Sequence, residues 1–118
     1  MKFLTTEQHS RLLANGWLAR LANRVGSDFD PQPVVKLFTP GAFSRWLLTE
    51  IDPDDHDRAF GLCDLGRGHP ELGYVSLREL EDLRGIRHDP VVRDLHFLAD
   101  KPISAYADAA RIRGLIVT

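Results

Sequence analysis

The side chains with the most obvious chemical capacity in this chain are carboxylates, and they fall into two neighbouring groups. Glu50, Asp52, Asp54, Asp55 and Asp57 lie in the run EIDPDDHD, which holds no lysine or arginine. A hard cation such as calcium takes about six to eight oxygen ligands, and this run has the carboxylates for it. It lacks the D-x-[DN]-x-[DN]-G order and the distal glutamate of a calcium hand. A solvated hairpin loop is the stronger reading, with a partner-binding patch second. Asp64 and Glu71 form the other group and bracket the loop GRGHP, with Arg67 and His69 between them. Gly66 and Gly68 could bring a ligand to the backbone, and two carboxylates could exchange protons or hold a divalent ion. Equally, Asp64 and Glu71 could bond backbone N–H groups of their own turn, and that structural role weighs more.

Other arrangements carry less. Asp94 and His96 are two apart, so on a strand they share a face and the carboxylate could orient the imidazole. A histidine on a half-buried strand is more often simply packed. Cys63 sits among small apolar neighbours, whereas a reactive thiolate needs an electropositive, open setting. The five histidines are scattered and one cysteine cannot build a thiolate cage, so no zinc site is expected. GRG at 66–68 is not a phosphate loop, because GxxxxGK[ST] is missing and no helix follows at once. No catalytic set, metal site or cofactor is therefore assigned. Glu50, Asp54, Asp55, Asp57, Asp64, Arg67, His69 and Glu71 stand as candidate binding residues.

Charge narrows the partners. Residues 1–49 carry six basic and three acidic groups, residues 50–57 five acidic and no basic, and residues 58–118 nine of each. A dedicated nucleic-acid binder usually shows a basic surplus. Even so, 12 of the 15 basic residues are arginine, which suits phosphate. Trp17, Trp46, Tyr74 and Tyr106 could stack on bases, and Arg45, Arg58 and Arg67 could form a local basic face. No apolar run approaches the roughly 18 residues of a membrane span. The N-terminus turns polar after Leu4, unlike a signal peptide, and the lone cysteine fits a reducing, cytoplasmic setting.

The elements that must position these groups can be read from periodicity and turn chemistry. Residues 5–23 are predicted to be a helix opened by a Thr5/Gln8 capping box, with Leu13, Trp17 and Leu21 packing into the core at spacing four. Asn15-Gly16 interrupts it, since glycine costs about 1 kcal/mol in a helix and Asn-Gly is a turn signal. A loop over 26–33 contains Pro31 and Pro33. Strands are expected at 34–38, 45–51, 58–65, 73–75 and 91–97, with a further edge strand at 115–117. The connection 52–57 reads as a hairpin loop. With Glu50 opposite Phe60, Leu48 would face Leu62 and Trp46 would face Asp64, which puts Asp64 roughly 13 Å from Glu50, too far to share an ion. A second helix runs from Ser76 to Arg84, with Ser76/Glu79 as capping box and Gly85 as left-handed stop. A third spans Ile103 to Arg113 and closes at Gly114.

The phrases KLFTP (36–40), WLLTEIDP (46–53), AFGLCDLG (59–66), PELGYVSL (70–77), RDLHF (93–97) and KPISAYADAAR (101–111), in that order, resemble a group of small bacterial proteins catalogued only as a domain of unknown function. The resemblance runs from about Val34 to the C-terminus. Ile86 to Pro90 departs from the Gly/Leu-containing link expected there. Members look common on plasmids and conjugative elements. The resemblance therefore implies an accessory role in a mobile genetic element, and supplies no catalytic residues.

The expected architecture is one α+β domain over residues 1–118. An N-terminal helix (1–25) precedes a mainly antiparallel twisted sheet of five or six short strands with two further helices (34–117). One sheet face must be covered, because the strands are too apolar for two exposed faces. The expected function is non-enzymatic protein binding, through the acidic loop 50–57 and the GRGHP loop. The alternatives are binding of single-stranded nucleic acid, or a small metal-assisted hydrolase using Asp64, Glu71 and His96. No membrane partner is expected.

Overall fold

In a computed structural model describing residues 3–85 and 88–118, the chain folds as five strands and three helices. Helix α1 (Thr6–Arg24) is followed by strands β1 (Val35–Phe38), β2 (Arg45–Asp52), β3 (Asp55–Asp64) and β4 (Glu71–Ser76). Helix α2 (Leu77–Asp82), the two-residue strand β5 (Val92–Arg93) and helix α3 (Ile103–Arg113) complete it. The strands form one antiparallel sheet in the order β4-β3-β2-β1-β5. The α+β reading therefore holds, with five strands.

The central run Trp46-Leu47-Leu48-Thr49 is wholly buried, because both faces of the sheet are covered. On one face Leu12 of α1 and Leu77 and Leu80 of α2 pack with Val35, Leu37, Trp46, Leu48, Ile51 and Ala59. On the other, Ile103, Tyr106, Ala107 and Ala110 of α3 pack with Leu47, Leu62 and Ile116. Near-continuous apolar runs are what double coverage demands.

The β2–β3 register corrects the one inferred from residue types. Glu50 does lie opposite Phe60, but Leu48 lies opposite Gly61, Leu47 opposite Leu62, Trp46 opposite Cys63 and Arg45 opposite Asp64. A bulge at Thr49 inserts one residue and exchanges the faces of everything before it. Trp46, Leu48 and Ile51 thereby join one core cluster. The hairpin is also tighter than expected: Pro53-Asp54 is its turn and Asp55 already belongs to β3.

Helix α1 begins as expected, with Thr5 and Gln8 in a reciprocal capping box. Its packing face does not. Leu12 and Gly16 are the buried positions, while Trp17, Leu18, Leu21 and Val25 point outward. Gly16 explains this: a Cβ there would lie 1.9 Å from the Ile51 carbonyl oxygen, so bare backbone seats the helix on β2. Next to it, Asn15 Nδ2 donates to Thr49 O at 2.9 Å, satisfying a carbonyl at the bulge. The Asn-Gly pair that reads as a turn is the contact that docks the helix.

Three further expectations change. Helix α2 stops at Asp82 with Leu83 extended, and Gly85 does not adopt positive φ; it instead makes room for Thr39, whose Cγ2 would be 2.5 Å from an added Cβ. The strand expected over 91–97 is cut to two residues, because Asp94 Oδ1 accepts the His96 N–H at 2.9 Å and turns the chain. Residues 115–117 form no strand; the Ile116 N–H is taken by Asp64. Within the link 86–90, Ile86 and Arg87 lie outside the described residues.

Candidate functional site

The acidic loop is occupied with its own fold. Asp52 Oδ1 accepts from the Asp54 N–H at 2.9 Å and from Arg20 of α1 at 3.3 Å, and Asp54 Oδ2 takes Arg20 at 2.9 Å. Asp55 Oδ1 accepts the Asp57 N–H at 3.1 Å. Asp57 reaches across to α2, where it accepts from Ser76 Oγ at 2.5 Å and from the Arg78 N–H at 2.8 Å, beside the Ser76 cap on Glu79 N–H. Glu50 is half-buried; burial raises its carboxyl above the usual range, partly offset by the Thr49 hydroxyl.

The Ser76 hydroxyl first, then the Arg78 amide, hold Asp57 below the ordinary carboxylate pKa. A depressed folded pKa means that the cap stabilises fully above the unfolded value, about 3.9, and is lost as pH falls through the folded one. Asp57→Asn is therefore expected to melt below the parent at pH 7, with the gap closing below about pH 4. Thermal melts at both pH values measure this; an equal gap at both would show that ionisation is irrelevant to the cap.

The group around GRGHP resolves into one structural residue and three surface ones. Asp64 is fully buried, and its two oxygens accept the Gly66 and Ile116 N–H groups, each at 2.9 Å. It ties the end of β3 to its own turn and to the segment after α3. Arg67, His69 and Glu71 are exposed. Gly66 and Gly68 both take positive φ, as a tight turn here requires. Cys63 is partly buried, and burial raises its thiol to about 11, which keeps it protonated at neutral pH.

Asp64, Glu71 and His96 do not converge. Glu71 belongs to one edge strand and His96 follows the other, four strand spacings away, roughly 19 Å. His96 instead lines a polar cavity of about 370 Å³ with Lys36, Asp94, Asp100, Lys101 and Tyr106. There Lys36 pairs with Asp94 at 3.5 Å, and the Tyr106 hydroxyl donates to Asp100 at 3.0 Å. Among the described residues, no three His, Cys, Asp or Glu side chains are grouped to hold a metal ion.

Two of the four stacking candidates, Trp46 and Tyr106, are buried. Arg45 and Arg58 do not form one basic face: they lie at opposite ends of the β2–β3 ladder, with Arg45 opposite Asp64 and Arg58 six residues back along β3, about 20 Å away. Arg58 stacks on Tyr74, 3.7 Å from the ring centroid.

The outer face of α1 carries a row of exposed apolar side chains. Trp17 is 55% exposed, Leu18 49%, Leu21 57% and Val25 68%. Positions 17, 21 and 25 recur every fourth residue and so line one side of the helix. Arg20 fixes the edge of this stripe, because its guanidinium lies 5.2 Å from the Trp17 ring centroid while bonding Asp52 and Asp54. The apolar stripe and the acidic loop are thus joined through one arginine. The periodicity of 17, 21 and 25 was visible in the sequence; that it faces outward follows only from where Gly16 seats the helix.

Comparison with protein families matches residues 3–117 to a family described as protein of unknown function, DUF2958. The chain belongs to this family. No curated protein and no solved structure matches it. The DUF2958 match covers the N-terminal helix as well as the region from Val34 onward, so the outward-facing stripe lies within the matched domain.

Proposed function

We propose that this DUF2958 chain is a non-enzymatic protein-binding module whose contact surface is the outer face of α1. The observation that carries this is the exposed stripe Trp17, Leu18, Leu21 and Val25. Contiguous apolar surface on a folded domain marks interaction sites, and tryptophan is a favoured anchor. The partner that fits is an acidic amphipathic helix of another protein. Arg11 and Arg24 accompany the stripe on α1, where Arg20 is already paired with Asp52 and Asp54, and apolar positions at this spacing are those through which facing helices pack. The acidic loop contributes indirectly, by orienting Arg20 beside Trp17. The biological setting we propose, an accessory role on a mobile genetic element in the cytoplasm, rests on the family resemblance and the lone cysteine. No described helix is long and apolar enough to cross a membrane.

Affinity capture from native host cells, identifying both bound protein and bound nucleic acid, tests the reading. A Trp17→Ala/Leu21→Ser variant is expected to lose the captured protein by about 30-fold, as a hot spot of roughly 2 kcal/mol implies. Its stability should change by less than about 0.5 kcal/mol, because both positions are exposed. Undiminished capture by that variant would remove the proposal. Recovery of nucleic acid, with affinity falling steeply in salt, would favour the alternative instead.

A further inference from the structure

We propose that β4 is a homodimer edge, pairing antiparallel with β4 of a second copy about a two-fold axis through Gly73 and extending the sheet from five strands to ten. The two ends of the sheet are built differently. The β5 end is two residues long, is preceded by Pro90 and ends in the Asp94 turn. Those are devices that keep an edge from pairing. The β4 end has none: its six residues, Glu71–Ser76, contain no proline or lysine and pair with β3 without a bulge.

Gly73 is the second observation. It does not adopt positive φ, and a Cβ there would meet nothing within 4 Å. Neither backbone geometry nor packing inside this chain requires glycine at this position, where it weakens the strand. A glycine inside a strand often marks a place where another backbone comes close.

The second copy follows from the register. With Gly73 opposite Gly73 of the copy, Leu72 falls opposite the copy's Tyr74 twice over, and Glu71 opposite the copy's Val75. Leu72 and Tyr74 are 43% and 55% exposed, and residues directly opposite in an antiparallel pair share a face. Along the paired strands no like charges fall directly opposite each other, since Glu71 is the one charged residue of β4. Each Tyr74 enters already held by Phe60, 5.0 Å away edge-to-face, and by Arg58, which limits the ordering that association requires.

Sedimentation equilibrium of the full chain tests this. At roughly 100 μM, where a dimer of micromolar Kd is almost fully formed, the mass should be that of two chains. Leu72→Lys and Tyr74→Glu should each raise the dissociation constant at least about tenfold. Mixing the two variants should restore a heterodimer, because the introduced lysine and glutamate then face each other while the other Leu72–Tyr74 pair survives. Both positions are exposed, and circular dichroism verifies that each variant is folded. A chain that stays monomeric overturns the proposal. So does a dimer indifferent to both changes, a mixture that fails to re-associate, or a dimer abolished by Trp17→Ala.

Discussion

Gly16→Ala is expected to destabilise the protein by about 3 kcal/mol, although alanine is the better helix former by about 1 kcal/mol. The two effects oppose each other, and their magnitudes decide the sign. A Cβ at position 16 would sit 1.9 Å from Ile51 O, 3.0 Å from Ile51 C and 3.2 Å from Pro53 Cδ. Two of these three atoms are backbone, so the helix must move rather than a side chain. Any shift of α1 also lengthens the Asn15–Thr49 hydrogen bond of 2.9 Å and loosens the Leu12 contacts in the core. Urea unfolding should show a lower midpoint at unchanged slope. A variant more stable than the parent would mean that α1 does not rest on Ile51, and the outward stripe would lose its explanation with it. Gly61 meets the same constraint from the sheet side, where an added Cβ would lie 2.0 Å from Leu47 O at the edge of the bulge.

Asp64→Ala is the second large effect, also about 3 kcal/mol. Hydrogen bonds to a charged group are worth about 1.5–3 kcal/mol, and a buried amide left without a partner costs about 1–3 kcal/mol. The Ile116 amide bond is buried and the Gly66 bond partly so, which sets the estimate near the upper part of a single buried loss. Asp64→Asn keeps one acceptor oxygen but turns an NH₂ donor toward the other amide, so it should recover about half of the loss. Loss of Asp64 should also accelerate hydrogen exchange at Ile116 more than at α1, because the segment after α3 is held to β3 through this carboxylate. A stability change below about 0.5 kcal/mol for Asp64→Ala would show that neither amide depends on it.

Gly16 reads in the sequence as a flaw in a helix, and Asp64 chiefly as a residue that bonds its own turn, which it does through Gly66. Each is also a fastening between distant segments: 16 to 51, and 64 to 116. Spacing along the chain cannot reveal such a contact, because nothing local distinguishes a carboxylate that bonds a remote amide from one that awaits a ligand. The acidic loop follows the same logic, since Asp52 and Asp54 hold Arg20 of α1 and Asp57 caps α2.

What the amino-acid order determines alone is everything governed by nearest neighbours. The Thr5/Gln8 box, the apolar runs of β1 to β3 and the Gly114 stop all follow from local sterics and hydrogen bonding. So does membership of an α+β fold; that both sheet faces are covered, where one was expected, belongs to the tertiary structure. The register past Thr49, the face that α1 buries and the loss of most of the strand after Val91 belong to the tertiary structure. One inserted residue inverts a strand's two faces, one missing Cβ rotates a helix, and one aspartate turn ends a strand. Periodicity shows that Trp17, Leu21 and Val25 lie together; only the approach of Gly16 to a carbonyl 35 positions later decides that they lie outside.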